Sequence, residues 1–346
     1  MQRHLNTLYV TTDNSWINKD GANVVVSVDG AERGRVPVHM IGSIVCLGRV
    51  SVSPPLMGFC SEQGVSIAYL SNYGRFLARV EGPVSGNVLL RREQYRRADN
   101  TDATAALARS IVIAKTLNQR TVLRRALRDH GEAMTAEAVD ALNASEVRLS
   151  DVARRCLKPQ TTDELRGLEG EAARCYFAVF DHLIVQQKET FAFKGRSRRP
   201  PLDAVNALLS LLYTLLTHDC RSACEAFGLD PAVGFLHRDR PGRPSLALDL
   251  MEELRPVIAD RVALSLINRR QVSASDFRTL DNGAVLLNDD ARKTVLTTFQ
   301  ERKKETIQHP FLGEPASFGL MPHLQAQLLA RHLRGDLDAY PPFVWK

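Results

Sequence analysis

The spacing of apolar residues changes once along the chain. Up to about residue 80 they come in short runs, TLYVTT, NVVVSV, SIVCLG, VSIAYL and FLARVEG, rich in β-branched and aromatic side chains and separated by the turn sequences KDG, VDG and NYG. Such runs between turn signals predict β-strands. One interruption, PPLMGFCSEQG, reads as a short helix. After EGPVSGN (81–87) the apolar residues recur at helical spacing over 102–130, 134–143, 161–187, 203–217, 245–268 and 289–306,. No internal repeat is visible, which argues against a solenoid. The pattern therefore predicts a two-domain α+β chain: a small N-terminal β-rich domain over 1–80, a linker over 81–87, and a larger all-α helical domain over 88–346.

Within the helical region one carboxylate sits on the wrong face. In TTDELRGLEGEAARCYFAVFDHL, Thr161 followed by Glu164 is a capping box that starts a helix near Thr162,. At about 100° per residue, Leu165, Ala172, Ala173, Tyr176 and Phe180 fall on one stripe, and Glu169 lies in its middle,. A carboxylate there must be neutralised, paired or bound to a cation, because leaving it bare costs several kcal/mol. Glu171 points to the other side, with Arg174 and Gly167. The flanking Gly167 and Gly170 are expected to let another element or a ligand approach Glu169. A structural salt bridge to one of the many arginines would also account for it.

A second stretch, GFLHRDRPGRPSLALDLMEELRP (234–256), joins a histidine, an arginine-rich loop and an acidic helix. Pro241, Gly242 and Pro244 hold the loop out of regular structure, and Ser245 is expected to cap the following helix. That helix is expected to bury Ala247, Leu250, Met251, Leu254 and Ile258. Asp249 and Glu252 share a face about a quarter-turn away, with Glu253 further round. The two acids are either favourable partners of the helix dipole or, with His237 and Glu169, a mixed nitrogen and oxygen site for a divalent cation.

Composition narrows the partner. With 44% hydrophobic and 24% charged residues the chain is an ordinary folded protein,. Lys plus Arg exceed Asp plus Glu by 45 to 39, giving a pI near 9.1. Arginines cluster in RREQYRR, RTVLRRALRD, KGRSRRPP and HRDRPGRP, which favours a polyanion such as nucleic acid over a merely solvated face. The six cysteines contain no C-x-x-C pair, so free buried thiols in a reducing compartment are expected,. His218, Cys220 and Cys224 lack a fourth zinc ligand and are read as packing residues. MQRHLNTLYV lacks the apolar core of a signal peptide, and ALLSLLYTLL is too short to span a bilayer, so a cytoplasmic protein without a membrane partner is expected,.

Several pieces together carry a resemblance. GLEGEAARCYF, GFLHRDRPGRPSLALDLMEELRP, the N-terminal stretch from VPVHMIGS to RREQYRRA, and the terminal PPFVWK closely resemble the adaptation endonuclease known as CRISPR-associated protein one, most of all its subtype I-C branch. The motifs are a G-x-E-G segment, a G-[FY]-L-H segment and an S-L-x-x-D-L-x-E segment, in that order. The resemblance implies a β domain that forms the homodimer and a helical catalytic domain. It implies a metal-dependent DNA nuclease and integrase that inserts spacers into CRISPR arrays, acting on double-stranded DNA. It also implies assembly with a small partner, CRISPR-associated protein two. Its metal ligands fall on Glu169, His237 and Glu252, holding Mn²⁺ or Mg²⁺, with Asp249 beside them orienting a ligand or a metal-bound water. Arg196, Arg198, Arg199, Arg238, Arg240 and Arg243 are the candidates for phosphate contacts. The rival readings are a non-catalytic DNA-binding scaffold with structural acids and a metal-dependent ribonuclease.

Overall fold

A computed structural model describes residues 6–71, 76–82, 88–198 and 200–345. The early runs form strands β1 (Thr7–Val10), β2 (Ser15–Asp20), β3 (Asn23–Val28), β4 (Ala31–Pro37), β5 (Ser43–Leu47), β6 (Val50–Val52), β7 (Ser66–Leu70) and β8 (Phe76–Val80), with helix α1 (Pro54–Glu62) after β6. They make two four-stranded sheets, ordered β1-β5-β7-β8 and β4-β3-β2-β6. In the first, β1, β5 and β7 run parallel and β8 antiparallel. The central β5 is buried at every position, as a parallel strand covered on both faces requires. Asp29 and Gly30 both take positive φ (50° and 78°), the two-residue hairpin turn that joins β3 to β4. Ile17, Val24, Ile44, Cys46, Leu56 and Ile67 centre the core. The PPLMGFCSEQG interruption is α1, capped by Ser53 Oγ accepting from Leu56 N at 3.4 Å.

The helical region holds α2 (Val88–Asp99), α3 (Thr101–His130), α4 (Ala136–Arg155), α5 (Thr162–Ala178), α6 (Ala204–Ala226), α7 (Ser245–Leu254), α8 (Arg261–Asn268), α9 (Asp289–Lys304) and α10 (Met321–Leu333). It is not all-α. Two antiparallel ribbons interrupt it, β9 (Phe277–Thr279) with β10 (Val285–Leu287), and β11 (Thr306–Gln308) with β12 (Pro315–Ser317). Three-residue strands carry too few positions for an alternating pattern to stand out against their helical neighbours. The helix expected over 245–268 is also broken. A π-helical turn, Pro256–Asp260, separates α7 from α8, because Pro256 has no N–H to continue the ladder,.

Compact grouping of the chain puts β1–β8 and α1 in one unit and α2–α8 and α10 in the other. The start of α9, Asp289–Gln300, groups with the strands, where Gln300 Nε2 donates to Thr7 O at 3.2 Å. The helical residues are thus not one uninterrupted stretch of the chain. Of the expected linker over 81–87, positions 83–87 lie outside the described residues.

Within the helical unit, α3 packs against α2, α4, α5 and α7. It therefore buries polar side chains as well as apolar ones, Lys115, Thr116, Asn118 and Gln119 among them. Asn118 shows how such groups are satisfied. Its Nδ2 donates to Glu253 O at 2.7 Å and Phe343 O at 2.9 Å, and its Oδ1 accepts from Trp345 N at 2.7 Å. The terminal PPFVW stretch is thereby tied to α3 and α7. Glu253 completes the tie, accepting from Tyr340 Oη, Gln325 Nε2 and Phe343 N. Among the described residues no helix is long and apolar enough to cross a membrane.

Candidate metal centre

Glu169 stands on α5, whose capping box forms as expected at Thr161 and Glu164. Leu165, Leu168, Ala172 and Tyr176 bury one face of the helix, and the Glu169 side chain retains 28% exposure. Its partner is not an arginine. Lys115, reaching from α3 with 3% of its side chain exposed, pairs with Glu169 Oε1 and, at 2.6 Å, with Glu252 Oε2. Among the described residues no other element of the chain approaches closely at Gly167 or Gly170: a Cβ on Gly167 would meet nothing, and one on Gly170 only the Arg174 guanidinium at 3.7 Å. Glu171 faces away and forms a two-pronged pair with Arg155, both contacts at 3.0 Å.

The histidine loop is built around Asp249. This fully buried carboxylate on α7 accepts from Phe235 N at 2.6 Å, Leu236 N at 3.0 Å and His237 N at 3.0 Å. It also meets His237 Nδ1 at 2.6 Å. A carboxylate already receiving three N–H groups is an acceptor, so Nδ1 donates and Nε2 keeps its lone pair. Both Asp249 oxygens are used by protein groups, and the carboxylate is fully buried, so what it does in this structure is hold the histidine loop and the His237 ring. Gly234 is required for the approach, since a Cβ there would lie 2.8 Å from both Asp249 Oδ2 and the Ser245 backbone. Ser245 is not the N-cap: Pro244 precedes the helix without a side-chain cap, and Ser245 Oγ donates to Arg238 O at 3.1 Å.

His237 Nε2 lies 3.7 Å from Glu252 Oε1. Glu252 is buried, and burial alone would push its carboxyl up. Arg255, at 2.9 Å from Oε1, and Lys115 hold it well below the usual carboxylate range. Glu169, His237 and Glu252 thus meet from three separate segments, with Lys115 as the tie between the two acids. Among the described residues no set of three acidic, histidine or cysteine side chains already stands in ligating geometry, and the Lys115 ammonium contacts both carboxylates. The donor set itself, two carboxylates and an imidazole nitrogen, suits a hard or borderline divalent cation. A cleft of about 370 Å³ opens beside the His237 ring, lined by Tyr95, Arg166, Gly234, Arg238 and Asp239.

Behind Glu252, Arg255 lies over the Tyr213 ring at 4.6 Å and Arg196 lies over it at 4.9 Å. Tyr213 Oη donates to the buried Asp260 at 2.6 Å. Burial pushes the Asp260 carboxyl up to about 6, against the pull of Tyr213 and Arg255. The native state therefore holds this proton more tightly than the unfolded chain, and its contribution to stability is lost as pH rises from about 4 to about 6. Replacing Asp260 with Asn should flatten the stability curve there, removing a slope of at most about 1.4 kcal/mol per pH unit. Denaturant midpoints of both proteins across that window measure it, and equal slopes would contradict it.

The candidate phosphate contacts separate into groups. Arg196 is held in the fold, donating to Ser197 O at 2.7 Å and Asn206 Oδ1 at 2.5 Å, so it is not a free phosphate contact. Arg198 and Arg240 are exposed and Arg243 is half-buried. Arg238 is exposed and grips Asp163 at 2.8 and 2.9 Å. Arg199 lies outside the described residues. Lys115, Arg255 and Arg166 were not anticipated from sequence. The last donates to Leu236 O at 2.6 Å, supporting the histidine loop. Lys115 carried the same signal as Glu169: in IVIAKTLNQ it continues the stripe of Ala108 and Ile111. Cys220 and Cys224 are buried free thiols, their acidity suppressed by burial.

Comparison with known proteins follows the same lines. A family model described as CRISPR associated protein Cas1 matches residues 8–301. The chain is 61% identical over 347 residues to CRISPR-associated endonuclease Cas1 2 of Rhodospirillum rubrum, covering 100% of each. Among solved structures it resembles a casposase bound to integration product, with TM-score 0.81, 22% identity, and 98% of this chain and 94% of that one covered. It also resembles a Cas6-RT-Cas1–Cas2 complex, with TM-score 0.82, 24% identity, and 100% of this chain and 36% of that one covered. These two likenesses establish a shared fold.

Proposed function

The chain belongs to the Cas1 family of CRISPR-associated endonucleases, and from that premise we propose that Glu169, His237 and Glu252 hold one divalent cation, Mn²⁺ or Mg²⁺, for DNA strand transfer during spacer acquisition. The observation that carries this reading is the meeting of those three side chains at Glu252 and Lys115, with His237 Nε2 turned to the site by Asp249. When bound, the ion supplies charge neutralisation at the phosphodiester and at the departing oxygen. Asp249 fixes the imidazole tautomer and ring plane. Arg255 keeps Glu252 ionised. In this reading the scissile strand enters at the cleft beside His237, and the exposed Arg198 and Arg240, with Arg238 once released from Asp163, supply phosphate contacts,.

Integration is preferred to plain cleavage because of the motifs in GLEGEAARCYF and GFLHRDRPGRPSLALDLMEELRP, and the fold shared with the casposase structure supports it. The Cas2-containing complex supports a small Cas2 partner for this chain. Assignment to the subtype I-C branch, homodimerisation through the β-rich domain, double-stranded DNA as substrate and action in the cytoplasm complete the proposal. The test is a strand-transfer assay with a DNA duplex bearing 3′-hydroxyl ends, a plasmid carrying the repeat, the Cas2 partner and Mn²⁺. The DNA ends should become joined to the repeat. Binding without joining would favour the scaffold reading, and turnover of RNA alone would favour a ribonuclease.

A further inference from the structure

Lys115 is a cation placed where a cation is to bind. Its ammonium contacts Glu169 Oε1 and Glu252 Oε2, the second at 2.6 Å, and only 3% of its side chain is exposed. Glu252 has a second positive partner, Arg255, at 2.9 Å on its other oxygen. The carboxylate pair is therefore already balanced by this chain's own charges. We propose that Lys115 competes with the divalent ion for the oxygens of Glu169 and Glu252, so that metal binding requires its ammonium to withdraw and its presence weakens metal affinity. This inference rests on the metal site proposed above.

The competition is electrostatic and steric. Two cations cannot share the same pair of oxygens at contact distance, since like charges repel most strongly in a site shielded from water. A lysine suits the exchange better than an arginine, because its compact ammonium sits on a flexible four-carbon stem and has no planar fork to hold it in place. Arg255, lying over Tyr213 and bonded to the opposite Glu252 oxygen, is fixed by both contacts and stays. A lysine with a purely structural role would leave metal affinity unchanged, and one that supports the ligands would strengthen it.

The experiment is calorimetric titration of Mn²⁺ into the EDTA-stripped full-length protein, for wild type, Lys115→Met and Lys115→Gln. Both variants should bind Mn²⁺ about tenfold or more tightly than wild type, since the binding-competent arrangement no longer has to be freed from the ammonium. Their thermal midpoints in EDTA should fall, because the acids then repel, and should recover in saturating Mn²⁺. Variants that fold only when Mn²⁺ is present would support the proposal in its strongest form. Affinity equal to or weaker than wild type would overturn it, as would failure to fold even with saturating Mn²⁺. If wild type binds Mn²⁺ and the variants do not tighten, only this inference fails. If neither wild type nor either variant binds Mn²⁺, the metal site falls with it.

Discussion

Replacing Glu169 with Ala, or His237 with Ala, should lower Mn²⁺-dependent strand transfer by about 10³-fold while leaving the fold intact. The size follows from the loss of one ligand from a centre that stabilises charge only as the phosphodiester breaks, where removing a single stabilising group typically costs on the order of 10²–10³. The choice of residues follows from their surroundings. Glu169 is partly exposed, and without it Lys115 still pairs with Glu252 at 2.6 Å, so the buried ammonium keeps a carboxylate partner. His237 is a half-buried loop residue whose backbone N–H remains held by Asp249. Glu252 is a poor test of catalysis, since its removal leaves Lys115 and Arg255 as buried cations without their shared acid, a cost in stability of about 3–5 kcal/mol. Circular dichroism and gel filtration check the fold, and the assay checks the activity. Full strand transfer by either alanine variant would remove that residue from the site.

The second large effect belongs to Asp249. Asp249→Ala should destabilise the protein by about 4 kcal/mol, because several buried donors lose one charged acceptor at once and each unsatisfied group costs about 1–3 kcal/mol. Asp249→Asn keeps the shape and one acceptor oxygen, and should fold. Its amide nitrogen then faces a donor, so the imidazole loses its fixed orientation. Mn²⁺ affinity should drop by about 10–100-fold, the usual consequence of removing the group that orients a metal-bound histidine. Urea unfolding reads the first quantity and Mn²⁺ titration the second. An Asp249→Asn protein with wild-type metal affinity would show that the contact at His237 Nδ1 serves stability alone.

How much of this was legible in the sequence depended on whether a residue broke a local pattern. Glu169 did so, as a carboxylate on an apolar helical stripe, and His237 stood in a glycine- and proline-rich loop before an acidic helix. Asp249 and Glu252 were legible as a pair but not as different objects, since helical spacing gives a face and not a depth. One is sealed against the loop backbone and the other is turned to the site. Lys115 broke the same rule as Glu169 but is easily overlooked, because a lysine stem belongs on an apolar stripe when its ammonium can reach water. Here it reaches two carboxylates instead.

The fold shows the same division. Strands with apolar runs, such as β5, were visible from their composition. Strand β4 (AERGRVP) buries none of its residues and owes its existence to pairing with β3 across the Asp29–Gly30 turn. The π-turn at Pro256–Asp260 depends on one missing N–H, which a periodic pattern does not register. The grouping of Asp289–Gln300 with the strands is a tertiary preference of a helix whose own sequence is unremarkably helical. Among the described residues, Gly167 and Gly170 bring no other element of the chain close: beside Gly167 there is open space and beside Gly170 only the Arg174 guanidinium.

Whether Glu169, His237 and Glu252 hold one ion is tested most directly by crystals soaked in Mn²⁺ and measured at its absorption edge. One anomalous peak is expected at ligand distance, about 2.0–2.3 Å, from His237 Nε2 and from an oxygen of each glutamate, with the Lys115 ammonium withdrawn from both acids. A peak elsewhere, or none at saturating Mn²⁺ with Lys115 still bridging Glu169 and Glu252, would contradict it.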